Sequence, residues 1–215
     1  MTRLALIHAL AASVAPTNEV LARDWPEAER INLLDDSLSA DLARKGQLDA
    51  AMTARFIALA DYAVGTGADA ILFTCSAFGP CIEAVQRRHA PRPVLKPNEA
   101  MVDEAVALAA GGRVGLVASF APTLASMPAE FPAGTLLHTA LAEGAMAALD
   151  SGDGVAHDAA VARAAAQLVK QQRCTVVTLA QFSMARARAA VQQACGVPVL
   201  TTPESAVRRL RARMG

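Results

Sequence analysis

The chain has 215 residues, of which 53% are hydrophobic and only 4% are aromatic. This length fits one large or two small domains, and the composition predicts a core of Ala, Val and Leu, as helices packed on a sheet provide. The 20 basic and 20 acidic residues balance, which argues against a nucleic-acid-binding or membrane-binding surface.

No apolar run approaches the roughly 20 residues that a membrane span needs, and the opening segment MTRLALIHAL is too short for a secretory signal. We therefore expect a cytoplasmic protein. Its four cysteines, Cys75, Cys81, Cys174 and Cys195, lack paired CxxC spacings. In that compartment they are interpreted as free thiols, not as a zinc site or a disulfide framework.

Short apolar segments alternate with Ala-rich segments of helical periodicity along the chain, which is typical of parallel βαβ units and predicts an α/β fold. The predicted strands are 4–10, 28–34, 69–75, 93–97, 113–119, 135–141, 174–180 and 197–202. The predicted helices are 50–65, 79–89, 98–110, 122–128, 155–172, 184–194 and 203–213. Gly65 and Gly67 precede a strand instead of following one, so they indicate a helix end and a turn, and a nucleotide-dependent enzyme is disfavoured.

The second half of the chain repeats the pattern of the first. The aligned pairs are 68–85 with 174–191, 91–102 with 196–207 and, more loosely, 3–13 with 113–123. We therefore predict two pseudo-symmetric lobes, 1–96 plus 203–215 and 97–202, each a parallel sheet flanked by helices. Because ligands of open α/β sheets bind beyond the carboxyl ends of the strands, an active-site cleft is expected between the lobes. Chance similarity of Ala- and Val-rich segments is the alternative explanation of the repeat.

Cys75 is the main candidate for chemistry. It ends a predicted strand and is followed by Ser76 and a helix. The helix dipole and free backbone N–H groups at such a place favour a thiolate, so a reactive cysteine is expected there. A small buried apolar side chain is the alternative role.

Three segments carry a resemblance to a known family. FTCSAFG (73–79) resembles the first catalytic-cysteine motif of the aspartate/glutamate/hydantoin racemase superfamily, which includes arylmalonate decarboxylase and maleate isomerase. GLVASFAPTLAS (115–126) is similar to the third strand and hydroxyl-bearing loop of that family, and VPVLTTPESAV (197–207) to its closing strand and helix.

The resemblance implies a cofactor-independent racemase or isomerase that acts at the α-carbon of a small carboxylic acid or amino acid, with Cys75 as acid/base. Such enzymes use one cysteine from each lobe, and a thiol pKa near 8.5 can be lowered toward neutrality for this purpose. Relatives decarboxylate malonates with a single cysteine. A small carboxylate is therefore the expected partner, and homo-oligomer formation is left open.

The sequence departs from the two-cysteine pattern at Gln181, which occupies the position of the second cysteine. Gln181 and the two residues after it, Phe182 and Ser183, are predicted to contact the substrate. An amide does not titrate near neutral pH, so a symmetric two-base racemase is in doubt. Gln181 orients a substrate carboxylate or amide, or Ser183 acts through a water, or Gln181 is a buried amide without a chemical role. We favour substrate orientation, which makes a one-cysteine isomerase or decarboxylase the alternative, with non-catalytic binding of a small anion as a further one.

Several hydroxyl and ring side chains complete the predicted substrate site. Ser76 adjoins Cys75, and Ser119 and Thr123 resemble the carboxylate contacts of the family, although helix N-capping is the preferred interpretation of Thr123 alone. His8 ends the first strand, where the resemblance implies a substrate contact and a near-neutral pKa would suit a proton relay. A hydrogen bond to the backbone is its alternative role.

The remaining polar candidates are weaker. Asn18 lies on the loop after His8, and Lys96 could attract an anionic substrate but is more typical of a solvated loop edge. His89, His138 and His157 have no partner spacing. The sequence thus predicts no metal site.

Overall fold

The structure, a computed structural model, describes all of residues 1–215. The chain forms two compact units. Unit 1 contains Met1–Pro97 and Ala206–Gly215, and unit 2 contains Asn98–Ser205. None of the helices is both long and apolar enough to cross a membrane.

Unit 1 is a four-stranded parallel sheet of order β2-β1-β3-β4. Its strands are β1 (Arg3–His8), β2 (Glu29–Leu34), β3 (Ala70–Phe73) and β4 (Val94–Leu95). Its helices are α1 (Val14–Asp24), α2 (Ser37–Lys45), α3 (Ala50–Gly65) and α4 (Gly79–His89), with short 3₁₀ helices at Ala11–Ser13 and Ser76–Phe78.

Unit 2 has the same parallel architecture, in the order β6-β5-β7-β8. Its strands are β5 (Arg113–Ala118), β6 (Leu136–Leu141), β7 (Val176–Leu179) and β8 (Val199–Thr201). Its helices are α5 (Glu99–Ala109), α6 (Ala121–Ser126), α7 (Ala145–Asp150), α8 (Gly154–Gln172) and α9 (Arg188–Cys195), with 3₁₀ helices at Met127–Glu130 and Phe182–Ala187. Helix α10 (Thr202–Met214) begins in unit 2 and ends in unit 1.

The strand registers repeat between the units. Leu4 of β1 pairs with Ala70 of β3, and Val114 of β5 pairs with Val176 of β7. These are the positions that the alignment of the two halves makes equivalent. The predicted fold of two α/β halves, each a parallel sheet with helices on it, is therefore confirmed.

Helices cover both faces of each sheet. Alternate residues of a strand point to opposite faces, so each strand contributes to two apolar clusters. In unit 1, Ile7 and Ile71 pack in one apolar cluster with Phe56 of α3. Leu6 and Leu72 pack in a second cluster that contains Leu210 of α10. Unit 2 likewise has two clusters on its sheet, one with α8 and one with α5.

Three helices were not predicted, namely α1, α2 and α7. Helix α1 contains Pro16, Thr17 and Asn18, which are poor helix formers. Thr17 Oγ1 donates to the Ser13 carbonyl over 2.7 Å and Asn18 Nδ2 to the Val14 carbonyl over 2.8 Å. Burial of Val20 and Leu21 against the sheet thus stabilises a helix that propensity alone does not favour, while the two polar side chains bond to its own backbone.

The predicted helix 184–194 was wrong at its start, since residues Phe182–Ala187 form a 3₁₀ helix and α9 begins only at Arg188. The apolar spacing of Phe182, Met184 and Ala187 fits a buried helical face of either kind, and all three are buried. Periodicity over so short a stretch does not distinguish the tighter helix from an α-helix.

Candidate functional site

A buried polar network lies at the carboxyl end of β1. His8 is the last residue of this strand and is fully buried. Its Nδ1 atom lies 2.9 Å from Thr74 Oγ1 and 3.0 Å from Ser13 Oγ, and its Nε2 atom lies 3.0 Å from Asn32 Oδ1. Neither ring nitrogen is free to bind a substrate in this arrangement, which differs from the substrate contact expected of His8.

Two asparagines set the tautomer of His8. Asn18 Nδ2 donates to the Val14 carbonyl, which fixes the orientation of its amide, and the same nitrogen donates to Asn32 Oδ1 over 2.8 Å. Because Asn32 Oδ1 is therefore an acceptor, the hydrogen of the neutral imidazole is on Nε2 of His8. Nδ1 is then an acceptor for a hydroxyl group.

Thr74 supplies that hydroxyl. The Ser13 hydroxyl donates to the Leu10 carbonyl over 2.7 Å, so its single hydrogen is used. Thr74 is left to donate to His8 Nδ1, which at 2.9 Å is closer than the Ile7 carbonyl at 3.4 Å, and Thr74 directly precedes Cys75 in the chain. The network thereby ties the end of β1 to the residue next to the candidate catalytic cysteine.

Burial lowers the pKa of His8, and the hydrogen bond to Asn32 opposes this only in part. Because the pKa of the folded protein lies below the ordinary value of about 6.5, the unfolded chain binds more protons as the pH falls. The stability that neutral His8 contributes is complete above about pH 6.5 and is lost as the pH falls through the lower pKa of the folded state.

We predict that His8→Gln weakens the pH dependence of stability. The amide is polar but does not titrate, so the variant should be less stable by about 1–3 kcal/mol at pH 7.5 and should lose less stability than the wild type between pH 7.5 and pH 5. Urea denaturation at both pH values measures this, and the carboxylates cancel because both proteins share them. An equal loss of stability in both proteins between pH 7.5 and pH 5 would contradict the assignment of this pH dependence to His8.

Cys75 follows the end of β3 and is the N-cap residue of the 3₁₀ helix Ser76–Phe78. Its side chain is partly buried and packs against the apolar cluster of α3 and α4. A narrow cavity beside it has no room for a water molecule. This cavity is lined by Ile7, His8, Ala9, Leu38, Phe56, Phe73 and Cys75.

Burial raises the pKa of the Cys75 thiol above its ordinary value, and hydrogen bonds from the Ala77 N–H and the Ser39 hydroxyl oppose the shift without cancelling it. The Ala77 N–H favours a thiolate, as expected of a group at a helix start, but the effect of burial is larger and the net shift is upward. The 3₁₀ helix after Cys75 has only three residues, so its dipole is small, and the apolar surroundings disfavour the charged form. Cys75 rests as a neutral thiol near pH 7.

Ser39 of α2 is the side chain whose removal should affect Cys75 most directly. Its single hydroxyl hydrogen bonds either to the Ala9 carbonyl, 3.1 Å away, or, after rotation, to the Cys75 sulfur when a thiolate forms. We predict that Ser39→Ala raises the thiol pKa further and slows alkylation of Cys75 at pH 8 by about two- to tenfold, the value of one hydrogen bond. Iodoacetamide labelling of the Cys75 peptide against pH measures this. Ser126→Ala, at an exposed helix position of unit 2, is the control, and an unchanged profile in Ser39→Ala would exclude the contact.

In unit 2, Ser119 and Gln181 form the corresponding corner after β5 and β7. Gln181 Oε1 accepts a hydrogen bond from the Ser119 N–H over 2.7 Å, while its Nε2 makes no hydrogen bond within the chain. The Ser119 hydroxyl is buried and has no hydrogen-bond partner. A buried polar group without a partner is rare enough to need a cause. The corner offers an unused hydroxyl and an unused amide NH₂, both uncharged, which can bind a carboxylate or an amide oxygen.

The other predicted contacts differ in accessibility. Ser76 is exposed and its hydroxyl makes no hydrogen bond, Ser183 is half-buried, and Phe182 is buried. Thr123 is the third residue of α6, whose N-cap is Phe120, and no side chain caps this helix. The N-cap interpretation of Thr123 was therefore wrong, because Thr123 lies inside the helix and Phe120 occupies the N-cap position.

The remaining cysteines lie in packing positions or at a helix end. Cys81 of α4 and Cys174 before β7 are buried in the apolar clusters, and Cys195 ends α9. Burial raises the pKa of both Cys174 and Cys195. Lys96 Nζ lies 3.1 Å from Glu83 Oε1, so its charge is paired. No group of three or more His, Cys, Asp or Glu side chains is arranged to hold a metal ion.

Four functional candidates were missed in the sequence, namely Ser13, Asn32, Ser39 and Thr74. Ser13 is the counterpart of Thr123 in the repeat, and Thr74 adjoins Cys75, so the sequence position of each residue indicated it as a candidate. Asn32 and Ser39 had none, because a polar residue in an edge strand or a short helix is usually solvated.

Comparison with known proteins gives these features a family. The description "Asp/Glu/Hydantoin racemase" belongs to a family whose sequence profile matches residues 11–210, which is nearly the whole chain. The cysteine-bearing two-unit α/β fold is therefore of the racemase class. The chain belongs to the Asp/Glu/hydantoin racemase family.

Solved structures show the same fold at low sequence identity. Allantoin racemase from Klebsiella pneumoniae is 17% identical with a TM-score of 0.75, over 100% of this chain and 88% of that one. PH1733, an aspartate racemase homologue from Pyrococcus horikoshii OT3, is 16% identical with a TM-score of 0.77, over 99% and 98%. Unliganded arylmalonate decarboxylase is 15% identical with a TM-score of 0.63, over 97% and 91%. A comparison with curated protein sequences finds no significant match.

Proposed function

We propose that the protein is a cofactor-independent racemase- or isomerase-type enzyme that moves a proton at the α-carbon of a small carboxylic or amino acid, with Cys75 as its acid/base residue. The position of Cys75 carries the proposal. Its sulfur follows the end of β3, where the Ala77 N–H and the Ser39 hydroxyl act to lower the pKa of the thiol against the effect of burial. Donors of this kind stabilise a thiolate when it forms, so the same group can give and take a proton.

The carboxylate or amide of the substrate is proposed to bind uncharged donors. In unit 2 these are the unpartnered Ser119 hydroxyl and the Nε2 of Gln181, whose other amide atom is held by the Ser119 N–H. In unit 1 the exposed Ser76 hydroxyl is a further donor. Hydrogen bonds to a carboxylate are stronger than those between neutral groups, so no free cation is required.

A single acid/base residue restricts the course of the reaction. The Cys75 thiolate takes the α-proton, and the electron pair of the carbon–hydrogen bond moves into the carboxyl group to form an enediolate. The thiol then returns a proton to the α-carbon from the same side, because Gln181 does not titrate. Exchange of the α-hydrogen with solvent should therefore be faster than inversion of the carbon.

The raised pKa of Cys75 favours a second candidate, decarboxylation of a malonate-like diacid. When the bond to one carboxylate breaks, CO₂ leaves and the electron pair remains on the α-carbon as an enediolate. A resting thiol supplies the one proton that this carbon needs, and the thiolate regains a proton from water. No proton abstraction is required, so a neutral cysteine and a non-titrating amide suffice.

We predict solvent exchange at the α-carbon that depends on Cys75. The protein is incubated in deuterated water with amino acids, hydantoins and substituted malonates, and deuterium incorporation is followed by NMR. Cys75→Ala should lower the rate at least about 100-fold, the usual contribution of an acid/base group, whereas Cys195→Ala, which removes a thiol at a helix end, should retain it. Loss of CO₂ from a malonate without exchange in the monoacids would select the decarboxylase. If the protein catalyses neither reaction with any of these compounds, the non-catalytic binding of a small anion is the function that remains.

A second prediction concerns Gln181. Because Gln181 occupies the position in unit 2 that Cys75 has in unit 1, Gln181→Cys should supply a second titrating thiol. The expected result is that inversion, measured by chiral chromatography, rises toward the rate of exchange. Gln181→Ala is the matched control, since it removes the amide without adding an acid/base group. Equal inversion by the two variants would argue against the assigned equivalence.

A further inference from the structure

The segment that follows Gln181 is joined to helix α8 by one carboxylate. Asp158 Oδ1 accepts a hydrogen bond from Arg186 Nε over 2.9 Å and another from His157 Nδ1 over 2.8 Å. Arg186 belongs to the 3₁₀ helix Phe182–Ala187, and Gln181 is the N-cap residue of that helix. The backbone at Gln181 is thus tied to the first turns of α8.

Gly154, the first residue of α8, leaves room for the arginine. A Cβ atom at this position would overlap the Nη2 and Cζ atoms of Arg186 and would lie 2.6 Å from Nη1. The guanidinium therefore lies directly against the backbone of Gly154. Since the φ angle of Gly154 is not in the left-handed region, alanine suits the backbone here, and only the arginine requires glycine.

His157 fixes the carboxylate that Arg186 meets. The His157 ring is fully buried, and its Nε2 has no hydrogen-bond partner. Its only side-chain hydrogen bond is thus the one that Nδ1 makes with Asp158, which orients the carboxylate. Arg186 is 47% exposed, and an isolated ion pair at such exposure contributes little. A carboxylate already held by a buried ring loses less entropy on pairing than a free one does.

We propose that Gly154, Asp158 and Arg186 form a latch that holds the segment Phe182–Ala187 on α8 and so positions Gln181 for substrate. This inference rests on the proposed function, in which Gln181 binds the substrate. The latch residues are positioning residues, since they act through the backbone of the segment. They set how well Gln181 Nε2 is presented while Ser119 holds its Oε1.

Gly154→Ala tests the latch, with Gly65→Ala as the matched control. Gly65 ends α3 and has no atom within 4 Å of a Cβ placed on it. Gly154→Ala should raise KM for the exchange substrate about three- to tenfold with kcat changed less than about twofold, because binding and not proton transfer is affected. Amide hydrogen exchange of 182–187 should become faster by a similar factor. The pH profile of Cys75 alkylation should not change.

A double-mutant cycle separates the latch from a general loss of packing. Arg186→Gln should reproduce the effect of Gly154→Ala, and the double variant should be no worse than either single one, because both changes remove the same contact. Arg186→Lys should recover little, since an ammonium group lacks the planar Nε–H donor. Additive losses in the double variant, or a Gly154→Ala protein that matches the Gly65→Ala control, would overturn the latch.

Failure of the latch and failure of the proposed function give different results. If the wild-type protein catalyses neither α-hydrogen exchange nor decarboxylation of any substrate, the proposed function fails. The latch is then tested only by amide hydrogen exchange of the protein backbone. Faster amide hydrogen exchange of residues 182–187 in Gly154→Ala, without a change in the midpoint of thermal unfolding, supports the latch. Unchanged amide hydrogen exchange of residues 182–187 in Gly154→Ala contradicts the latch.

Discussion

The hydrogen bonds between β1 and β3 in unit 1, and between β5 and β7 in unit 2, determine where chemistry is possible in this protein. The Thr74 N–H donates to the Ile7 carbonyl over 3.1 Å, and the Ala180 N–H donates to the Val117 carbonyl over 2.9 Å. Each bond closes a parallel ladder one residue beyond the third strand of its unit. The side chains that follow, Cys75 and Gln181, are thereby placed at the same edge of their sheets, where backbone groups are no longer used by the ladder.

Cys75 shows how two physical effects compete at that edge. Apolar packing makes the position rigid but penalises a charged sulfur, and the two hydrogen-bond donors at the sulfur offset only part of this penalty. The balance leaves a neutral thiol near pH 7, where a thiolate needs further stabilisation from a reaction or a ligand. In the proposed function, substrate binding and proton transfer are therefore coupled through the same few contacts.

The sequence was sufficient for the strands, the long helices and the position of Cys75, because each depends on local periodicity or on the repeat. Features that depend on tertiary contacts could not be predicted from the sequence. The direction of the Cys75 pKa shift depends on packing by residues far along the chain, and the orientation of His8 depends on Asn18 and Asn32. The unused hydroxyl of Ser119 is likewise visible only when its neighbours are known.

The two units use their polar side chains differently at equivalent strand ends. In unit 1 the side chains of Asn32 and Thr74 bond to His8, so a change in one of these three residues leaves another without a partner. In unit 2 the donors of Ser119 and Gln181 are spare. Selection can therefore alter the second unit one residue at a time, while the first resists single changes. In the proposed function, changes of substrate preference are therefore expected mainly at residues 119 and 181–183.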